Sequence, residues 1–387
     1  MEYRKKKLLA IFGTRPEAIK MAPLVNELQK QAEFFDLRVL ITAQHREMLD
    51  QVLALFRIKA DYDLDIMMEG QSLTNITAKA LLGITQVLQE EAPDLVLVHG
   101  DTSTTLAGAL AAYYQQVPVA HVEAGLRTYH PYSPFPEEMN RRLTGALTED
   151  HFAPTVKARQ NLLGEGIPAE RIIVTGNTVI DALLSMASRP DLDLPDEVSR
   201  IPASRRVVLV TTHRRENLVQ GLHQVYLGLK ELIQEFPDLE VVFPVHLNPK
   251  VRAEAFGVLG DLPRVHLLAP LAYEQFVAVM RRAFLVLTDS GGIQEEAPAL
   301  GKPVLVLRDT TERPEAVAAG TVRLIGTERK KVYAETRALL CDDKAYQRMA
   351  EAQNPYGDGK AARRITDYLL WKYGFLNWKP EEFQVQG

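Results

Sequence analysis

The stretch DLVLVHGDTSTTLAGALAA, residues 94–112, joins an apolar strand to a helical segment through a polar turn. Its run LVLV is continuously apolar, which is typical of a parallel strand buried on both faces. The turn places Asp101 at the end of the strand, and an Ala-rich segment of helical length follows. A buried strand that leads directly into a helix is the unit from which parallel α/β sheets are built. The stretch therefore predicts an α/β fold.

Similar apolar runs recur along the chain of 387 residues, separated by amphipathic segments of helical length. There are ten such runs: KLLAIFG, LRVLITA, DLVLVHG, VPVAHVEA, RIIVTG, RVVLVTTH, LEVVFPVH, VHLLAP, AFLVLTDSGG and KPVLVLRD. The alternation predicts βαβ units and doubly wound parallel sheets. Ten strands fit two similar halves better than one sheet, so we expect two Rossmann-like domains. A polar stretch with several prolines, residues 185–204, places the hinge within residues 176–204.

The composition limits the classes of function that this chain can have. With 46% hydrophobic and 25% charged residues, it is that of a soluble globular protein, and the net charge of −5 argues against nucleic-acid binding by charge alone. The single cysteine, Cys341, excludes an intrachain disulfide, and without a helical His-x-x-x-His pair we predict no metal site. No apolar run approaches the roughly 18 residues of a membrane span, so we expect a cytoplasmic protein.

Unusual polar residues follow most of the predicted strands, in both halves of the chain. The segments are GTRPEAIK, AQHREM, HGDTSTT, VEAGLRT, THRRENL, PVHLNP, TDSGGIQEE and RDTTERPE. Ligands of open parallel sheets bind beyond the carboxyl ends of the strands. Two such sheets that face each other would enclose one cleft, and we therefore expect a binding site between the domains.

The segment LTDSGGIQEEA, residues 287–297, resembles a phosphate-binding turn. Ser290, Gly291 and Gly292 would present free backbone amides at a helix N-terminus, where an anion binds well. Glu295 or Glu296, about one turn further on, could accept hydrogen bonds from ribose hydroxyls. The alternative is an ordinary helix-capping turn with acidic residues in its first turn. Because the Ser-Gly-Gly run directly follows a strand, we favour phosphate binding.

A second strand-to-helix turn, FGTRPEAIKMAPL at residues 12–24, carries basic residues. Gly13 allows close approach, Pro16 fits a first helical turn, and Arg15 and Lys20 could face an anion. A plain turn with a solvated Arg15 competes with this reading. The Gly-x-Gly-x-x-Gly fingerprint of dinucleotide cofactors is absent here, and GDGKAA at residues 357–362 does not follow a strand. We therefore predict no such cofactor.

Other candidates are ambiguous when each is taken alone. Asp101 suits a helix cap. His213, Arg214 and Arg215 follow the first strand of the second half and suit a diphosphate, although arginines at a helix start are often only solvated. His246, near another strand end, could be structural.

The loop HVEAGLRTYHPYSPFPEEMNRRL, residues 121–143, is the most unusual segment of the chain. An apolar strand leads straight into it, and it presents three carboxylates, Glu123, Glu137 and Glu138. Pro131, Pro134 and Pro136 restrict its backbone, which lowers the entropic cost of holding Glu137 in place. A surface loop needs no such restriction, whereas a catalytic loop benefits from it.

Taken together, these segments resemble the non-hydrolysing UDP-N-acetylglucosamine 2-epimerases over nearly the whole chain. The matching segments, in order, are FGTRPEAIKMAPL, TAQHREMLDQVL, VLVHGDTSTTLA, HVEAGLRT, YSPFPEEMNRRL, TGNTVIDAL, THRREN, PVHLNP, TDSGGIQEEAPALGKPVLVLRDTTERPEAV and NPYGDGKAARRI. The resemblance implies a fold like that of the B-type glycosyltransferases, with residues 1–178 plus 364–387 in one domain and 179–363 in the other. It also implies a homodimer without a nicotinamide cofactor.

The family chemistry implied by the resemblance is inversion at C2 of UDP-N-acetylglucosamine to give UDP-N-acetylmannosamine for cell-surface polysaccharide. UDP leaves C1 while a base takes the C2 proton, and UDP then adds back to 2-acetamidoglucal with a proton delivered to the other face. The resemblance assigns the proton transfers to Asp101, Glu123 and Glu137, and it leaves open which group serves which face. His213 joins this catalytic set as a partner of the leaving diphosphate.

The resemblance also implies how the substrate is held. The expected contacts are Arg15, Lys20, His246, Phe276 (near the uracil), Ser290, Gly291, Gly292, Glu296 (on the ribose) and Arg313. Gln44 and His45 match a second, regulatory substrate site, although the chain departs from some relatives at Glu69–Gly70. UDP-N-acetylglucosamine and UDP are the expected ligands.

Three rival functions share much of this pattern. A retaining glycosyltransferase of the same fold would need an acceptor pocket, and the loop carboxylates count against it. A hydrolysing epimerase would release UDP and free N-acetylmannosamine. A catalytically dead sugar-nucleotide sensor would have lost its acid/base groups, but this chain retains all three.

Overall fold

The computed structural model describes residues 4–43, 46–67, 70–212 and 221–385. The chain forms two compact units. The N-terminal unit runs to Ala182 and includes Tyr356–Gln384, and the C-terminal unit is essentially Leu183–Pro355.

A sheet of seven parallel strands forms the centre of the N-terminal unit, in the order β3-β2-β1-β4-β5-β6-β7. The strands are β1 (Lys6–Phe12), β2 (Phe35–Ile41), β3 (Tyr62–Asp63), β4 (Leu95–His99), β5 (Val119–Val122), β6 (Asp150–Ala153) and β7 (Ile172–Val174). The helices are α1 (Arg15–Lys30), α2 (Arg46–Leu55), α3 (Leu73–Glu91), α4 (Ser103–Tyr114), α5 (Glu137–Leu147), α6 (Val156–Gly164) and α7 (Thr178–Ala187), with a 3₁₀ turn at Ala169–Arg171.

A sheet of six parallel strands forms the C-terminal unit, in the order β10-β9-β8-β11-β12-β13. Its strands are β8 (Arg206–Thr211), β9 (Leu239–Pro244), β10 (Val265–Leu268), β11 (Leu285–Thr288), β12 (Val304–Val306) and β13 (Val322–Leu324). The remaining helices are α8 (Asp196–Ser199), α9 (Gly221–Glu235), α10 (Pro249–Leu259), α11 (Tyr273–Arg282), α12 (Gly291–Ala299), α13 (Pro314–Ala318), α14 (Arg329–Cys341), α15 (Asp343–Ala350) and α16 (Ala361–Lys372).

Both sheets contain the strand order of a Rossmann fold, in which the first strand lies between the second and the fourth. In the N-terminal unit β1 lies between β2 and β4, and in the C-terminal unit β8 lies between β9 and β11. The predicted class, α/β with two Rossmann-like domains, is confirmed. The crevice where the order reverses, between β1 and β4 or between β8 and β11, is where ligands bind in such sheets.

The central strands are continuous apolar runs because both of their faces are buried. The side chains of Leu8–Phe12 and of Leu95–Val98 are fully buried, and the two strands pair in parallel with Ala10 opposite Leu97. A strand covered by helices on both faces has no solvent side, so apolar residues do not alternate with polar ones.

Thirteen strands are present among the described residues, three more than the apolar runs predicted. β3 is only two residues long, and β6 begins with Asp150 and His151, which are both buried. β13 contains Arg323, half-buried, which interrupts its apolar character. Polar residues inside these short strands hid them from a search for apolar runs.

Helix α16 belongs to the N-terminal unit although it is the last helix of the chain. Asp181 on α7 accepts hydrogen bonds from the amides of Ala361 (3.2 Å) and Ala362 (2.8 Å), and so caps the first turn of α16. Near the other end, Tyr368 donates to the buried carboxylate of Asp150 at 2.8 Å, and Lys372 also binds Asp150. These contacts attach α16 to α7 at its first turn and to strand β6 near its other end.

Across the described ranges, each helix is too short or too polar to span a lipid bilayer.

Candidate active site

The turn after β1 carries Arg15 at the first position of α1. Thr14 caps this helix by accepting from the amide of Glu17, whose side chain in turn accepts from the amide of Thr14 at 2.8 Å. This capping box and Pro16 fix where the helix begins. The guanidinium of Arg15 is half-buried and makes no hydrogen bond or ion pair with the described residues. It is therefore a cation available to an anionic ligand.

Glu123 follows β5, next to the crevice between β1 and β4. Its backbone is left-handed, with a φ of 64°, which is unusual for a residue with a side chain. Its carboxylate binds Lys20 Nζ from α1 and accepts from the side-chain amide of Asn177, which follows β7, at 2.8 Å. Helix α1 and the segment after β7 therefore hold one carboxylate that follows β5 at the edge of the sheet.

Asp101 lies after β4 and is held by helix α5. The guanidinium of Arg141 contacts its carboxylate at 2.6 Å, and the side-chain amide of Asn140 donates to its backbone carbonyl at 2.9 Å. Asp101 keeps about a quarter of its side-chain surface exposed, whereas Arg141 is 15% exposed. The carboxylate is thus fixed in direction but remains accessible.

The loop between β5 and α5 is fastened by Glu138, which is fully buried. Its carboxylate accepts from the amides of Thr128 and Tyr129, both at 3.0 Å, and binds Arg141 at 3.2 Å. Arg141 therefore joins Glu138 to Asp101. Glu137, one residue earlier, is half-buried at the first position of α5, and its carboxylate has no hydrogen-bond partner among the described residues.

Buried histidines lie behind these acids. His99 ends β4 and His121 lies in β5, and burial lowers the pKa of His99 to about 4 and that of His121 to about 3. His121 Nε2 lies 2.7 Å from the carbonyl of Gly100, so this nitrogen carries the proton that it donates. Both rings are therefore neutral near pH 7, and His121 contributes a hydrogen bond instead of a charge.

The C-terminal unit presents the Ser-Gly-Gly segment at the crevice between β8 and β11. Ser290 precedes α12, and its hydroxyl does not cap the helix. Its amide donates to the hydroxyl of Thr288 at 2.9 Å, and Thr288 pairs with Thr211 at the end of β8 at 2.6 Å. The turn therefore leaves the amides of Gly291 and Gly292 at a helix N-terminus without a side-chain cap, as a phosphate site requires.

Helix α12 also carries the two acidic candidates, and they occupy different environments. Glu295 is buried and forms an ion pair with Arg313, which follows β12. Glu296 is half-buried, and a Cβ built on Gly292 would lie 3.5 Å from its carboxylate. Arg313 therefore has a protein partner, and Glu296 lies nearer to the glycines.

His246 and Phe276 follow other strands of the same sheet. His246 comes after β9, is exposed and accepts from the amide of Asn248 at 3.1 Å. Phe276 lies in the first turn of α11, after β10, and is half-buried. His213, Gln44 and His45 lie outside the described residues.

Comparison with known proteins gives a consistent result. The family model of UDP-N-acetylglucosamine 2-epimerase matches residues 26–370. The UDP-N-acetylglucosamine 2-epimerase of Bacillus subtilis is 52% identical over 384 residues, which cover 98% of this chain and 99% of that protein. The chain belongs to the UDP-N-acetylglucosamine 2-epimerase family. It is accordingly an enzyme, an isomerase, as the sequence motifs predicted.

Solved structures of the family agree with this assignment. A 2-epimerase-like protein from Listeria monocytogenes superposes with a TM-score of 0.94, at 49% identity, over 99% of this chain and all of that one. The UDP-GlcNAc 2-epimerase of Neisseria meningitidis, solved with UDP-GlcNAc bound, gives 0.85 at 52% identity, over 94% of this chain and all of that one. The fold is therefore that of the UDP-N-acetylglucosamine 2-epimerases.

The structure brings together several residues to which the sequence motifs assigned no role in the site. Arg141 and Asn140 hold Asp101, and Asn177 holds Glu123. The position of Asn177 directly after a strand, in TGNTVIDAL, was a signal that could have indicated it. Lys20 forms an ion pair with Glu123, whereas Arg15 forms none with the described residues. The expected contact of Lys20 with the substrate stays a prediction.

Within the described ranges, no group of three or more His, Cys, Asp or Glu side chains is arranged to hold a metal ion.

Proposed function

We propose that this 2-epimerase interconverts UDP-N-acetylglucosamine and UDP-N-acetylmannosamine by elimination and re-addition of UDP. In the first step the C2 proton passes to a carboxylate while the C1–oxygen bond breaks. The electron pair of the C–H bond forms the C1=C2 double bond of 2-acetamidoglucal, and UDP leaves with the electrons of the C1–O bond. In the second step UDP oxygen bonds C1 again and a proton reaches C2 from the opposite face.

The observation that supports this proposal is the clustering of acids in the N-terminal unit. Glu123 and Asp101 follow the neighbouring strands β5 and β4, and a Cβ built on Gly100 would lie 3.8 Å from the Glu123 carboxylate. Glu137 lies one helical turn before Arg141, the residue that binds Asp101. A reaction that adds and removes protons on two faces of one carbon needs more than one such group.

The three acids, Asp101, Glu123 and Glu137, have different surroundings, which suggest different roles. Glu123 is bound by a cation and an amide, and Asp101 by a guanidinium, so both are fixed in direction. Glu137 makes no such contact within the described residues and can turn toward a ligand. We assign to Glu137 the proton transfer on one face of C2 and to Asp101 or Glu123 the transfer on the other.

The leaving diphosphate also needs positive partners. Arg15, with its unpaired guanidinium, and the amides of Gly291 and Gly292 are the described groups suited to it. His213 is the further partner that the family resemblance implies. We also propose that the substrate is contacted by the other residues that the family resemblance implies: Lys20, His246, Phe276, Ser290, Glu296 and Arg313.

A measurement of hydrogen exchange tests the mechanism. In deuterated water, product formed from UDP-N-acetylglucosamine should carry deuterium at C2, as seen by NMR, because the returned proton comes from an exchangeable group. Asp101→Asn, Glu123→Gln and Glu137→Gln should each lower the rate by about 10²–10⁴-fold. Glu170→Gln removes an exposed carboxylate of the same unit and serves as the matched control. Product that retains its original hydrogen at C2 would contradict elimination.

The reaction's products separate the rival functions. A hydrolysing enzyme would accumulate UDP and free N-acetylmannosamine, and a glycosyltransferase would need an acceptor before any exchange at C2. We propose that UDP returns to the sugar and that the product supplies N-acetylmannosamine units for cell-surface polysaccharide.

We also propose a homodimer and regulation by substrate, both implied by the family resemblance. If Gln44 and His45 bind a second substrate molecule, UDP-N-acetylmannosamine alone should react slowly and a trace of UDP-N-acetylglucosamine should accelerate it. Gln44→Ala should remove the acceleration while UDP still binds. A reverse reaction that starts at full rate without activator would exclude this regulation. Light scattering at several protein concentrations tests the dimer.

A further inference from the structure

A buried carboxylate, Glu17, lies beneath two turns that carry proposed active-site groups. The β1 turn, residues 13–16, contains Arg15, and the β4 turn, residues 100–105, contains Asp101. Glu17 is 3% exposed. Neither the proposed proton transfers nor the diphosphate contacts use it, so its position calls for a separate explanation.

The two oxygens of Glu17 face different turns. One oxygen accepts from the amides of Gly13 (3.0 Å) and Thr14 (2.8 Å) in the β1 turn. The other accepts from the hydroxyl of Thr102 at 2.6 Å and lies 3.1 Å from that of Thr105, both in the β4 turn. The carboxylate therefore bridges two segments that are 85 or more residues apart in sequence.

A capping role explains only half of this arrangement. A capping box needs one side-chain oxygen on the N-cap amide, and an exposed Glu at the start of a helix performs that role. Here the second oxygen is used on another turn, and the whole group is buried, which raises the pKa of Glu17. Burial of a carboxylate is costly unless hydrogen bonds compensate it, so the buried Glu17 needs the donors that the β4 turn supplies.

The surrounding residues show how closely the two turns approach. A Cβ built on Gly13 would lie 2.0 Å from the Thr42 hydroxyl and 2.6 Å from that of Thr104, so only glycine fits. The hydroxyls of Thr42 and Thr104 pair at 2.7 Å, and both residues are fully buried. Gly13 and Thr104 thus bring the two turns into close contact, and Glu17 is the one carboxyl group among these residues.

We propose that Glu17 is a positioning residue that locks the β1 turn to the β4 turn, and so sets the placement of Arg15 relative to Asp101. The inference rests on the roles proposed above for those two residues. Elimination requires the leaving diphosphate and the C2 proton to be held at the same time. A displacement of one turn by about 1 Å would misalign the two, which can cost about 10²-fold in rate.

Two substitutions at Glu17 distinguish a requirement for its hydrogen bonds to both turns from a requirement for a negative charge. Glu17→Ala removes all the contacts and should lower kcat about 10²-fold, whereas UDP affinity should change less than about tenfold because the diphosphate has other partners. Glu17→Gln keeps a carbonyl oxygen for the two amides, and its amide group can donate to the Thr hydroxyls. This variant should keep most of the activity, which a requirement for the charge would not allow.

The assay compares kcat per folded molecule, with Glu27→Gln as the matched control. Glu27 lies on the same helix and, among the described residues, forms an ion pair only with the exposed Lys30, so its loss should leave kcat unchanged. Folded Glu17→Ala enzyme with wild-type kcat overturns the proposal. If Glu17→Ala does not fold, Thr102→Val and Thr102→Ser decide: the hydroxyl-free variant should lose activity and the serine variant should keep it, and equal activities overturn the proposal.

Asp101→Asn, measured in parallel, distinguishes a failure of the positioning role of Glu17 from a failure of the proposed function. If Asp101→Asn is impaired and Glu17→Ala is not, only the positioning role fails. If Asp101→Asn has the wild-type rate of exchange at C2, the proposed function itself is wrong.

Discussion

Asp181 provides a test of how the last helix of the chain is attached to the first unit. Burial raises the pKa of its carboxyl from 3.8 to about 6, and the amides of Ala362 and Ala361 oppose that rise only in part. Between these two pH values the folded protein keeps a proton that the unfolded chain has lost. Raising the pH through this window therefore destabilises the wild type, and the loss is complete above pH 6.

The magnitude follows from the shift of roughly two pH units. At 1.36 kcal/mol per unit, the wild type should lose up to about 3 kcal/mol of unfolding free energy between pH 4 and pH 7 through this group. Asp181→Asn cannot ionise but keeps one oxygen for an amide of α16. The difference in stability between wild type and variant should therefore move by up to about 3 kcal/mol in favour of the variant as the pH rises.

Buried histidines act in the opposite direction within the same window. Burial lowers the pKa of His151 to about 3, as it lowers that of His99 and His121. A histidine that must stay neutral contributes stability above its unfolded pKa of about 6.5, and that stability is lost as the pH falls. Because wild type and variant share these histidines, their difference isolates Asp181.

The two tryptophans of the chain make the measurement specific. Trp371 lies in α16 and Trp378 soon after it, both in the N-terminal unit. Tryptophan fluorescence during urea unfolding therefore reports on this unit alone. Midpoints for wild type, Asp181→Asn and the surface control Glu170→Gln would be recorded from pH 4 to pH 7.5. Parallel pH profiles for wild type and Asp181→Asn would refute the reasoning.

Three further predictions concern single contacts. Arg15→Ala should weaken UDP binding tenfold or more in calorimetry, because a charged hydrogen bond contributes about 1.5–3 kcal/mol, and unchanged affinity would remove Arg15 from the site. Lys20→Met should lower kcat more than it weakens UDP binding, because Lys20 Nζ binds Glu123; an equal effect on the two would place Lys20 on the diphosphate instead. Tyr368→Phe should destabilise the N-terminal unit by about 1.5–3 kcal/mol in urea with tryptophan detection, because buried Asp150 loses a donor, and an unchanged midpoint would show that Lys372 suffices.

Much of the architecture could be predicted from the sequence because it depends on local patterns. Continuous apolar runs that alternate with helical segments indicate buried parallel strands, and the polar residues after them mark the carboxyl edge of each sheet. Glycine and threonine at a turn likewise have local reasons, such as the cap that Thr14 provides for α1. The same patterns drew attention to Asp101, Glu123 and Glu137.

What only the tertiary structure decided is which of these groups meet. Lys20 binds Glu123 across 103 residues, Arg141 binds Asp101 across 40, and Glu17 reaches Thr102 across 85. The Lys20 and Glu17 pairs depend on the order of strands in the sheet, which puts β1 beside β4, and no local pattern encodes that neighbour. A charged side chain in the sequence can face solvent, a ligand or another charge. The choice is made by the desolvation and geometry of the folded sheet edge, where a buried carboxylate must find donors from whichever turns lie next to it.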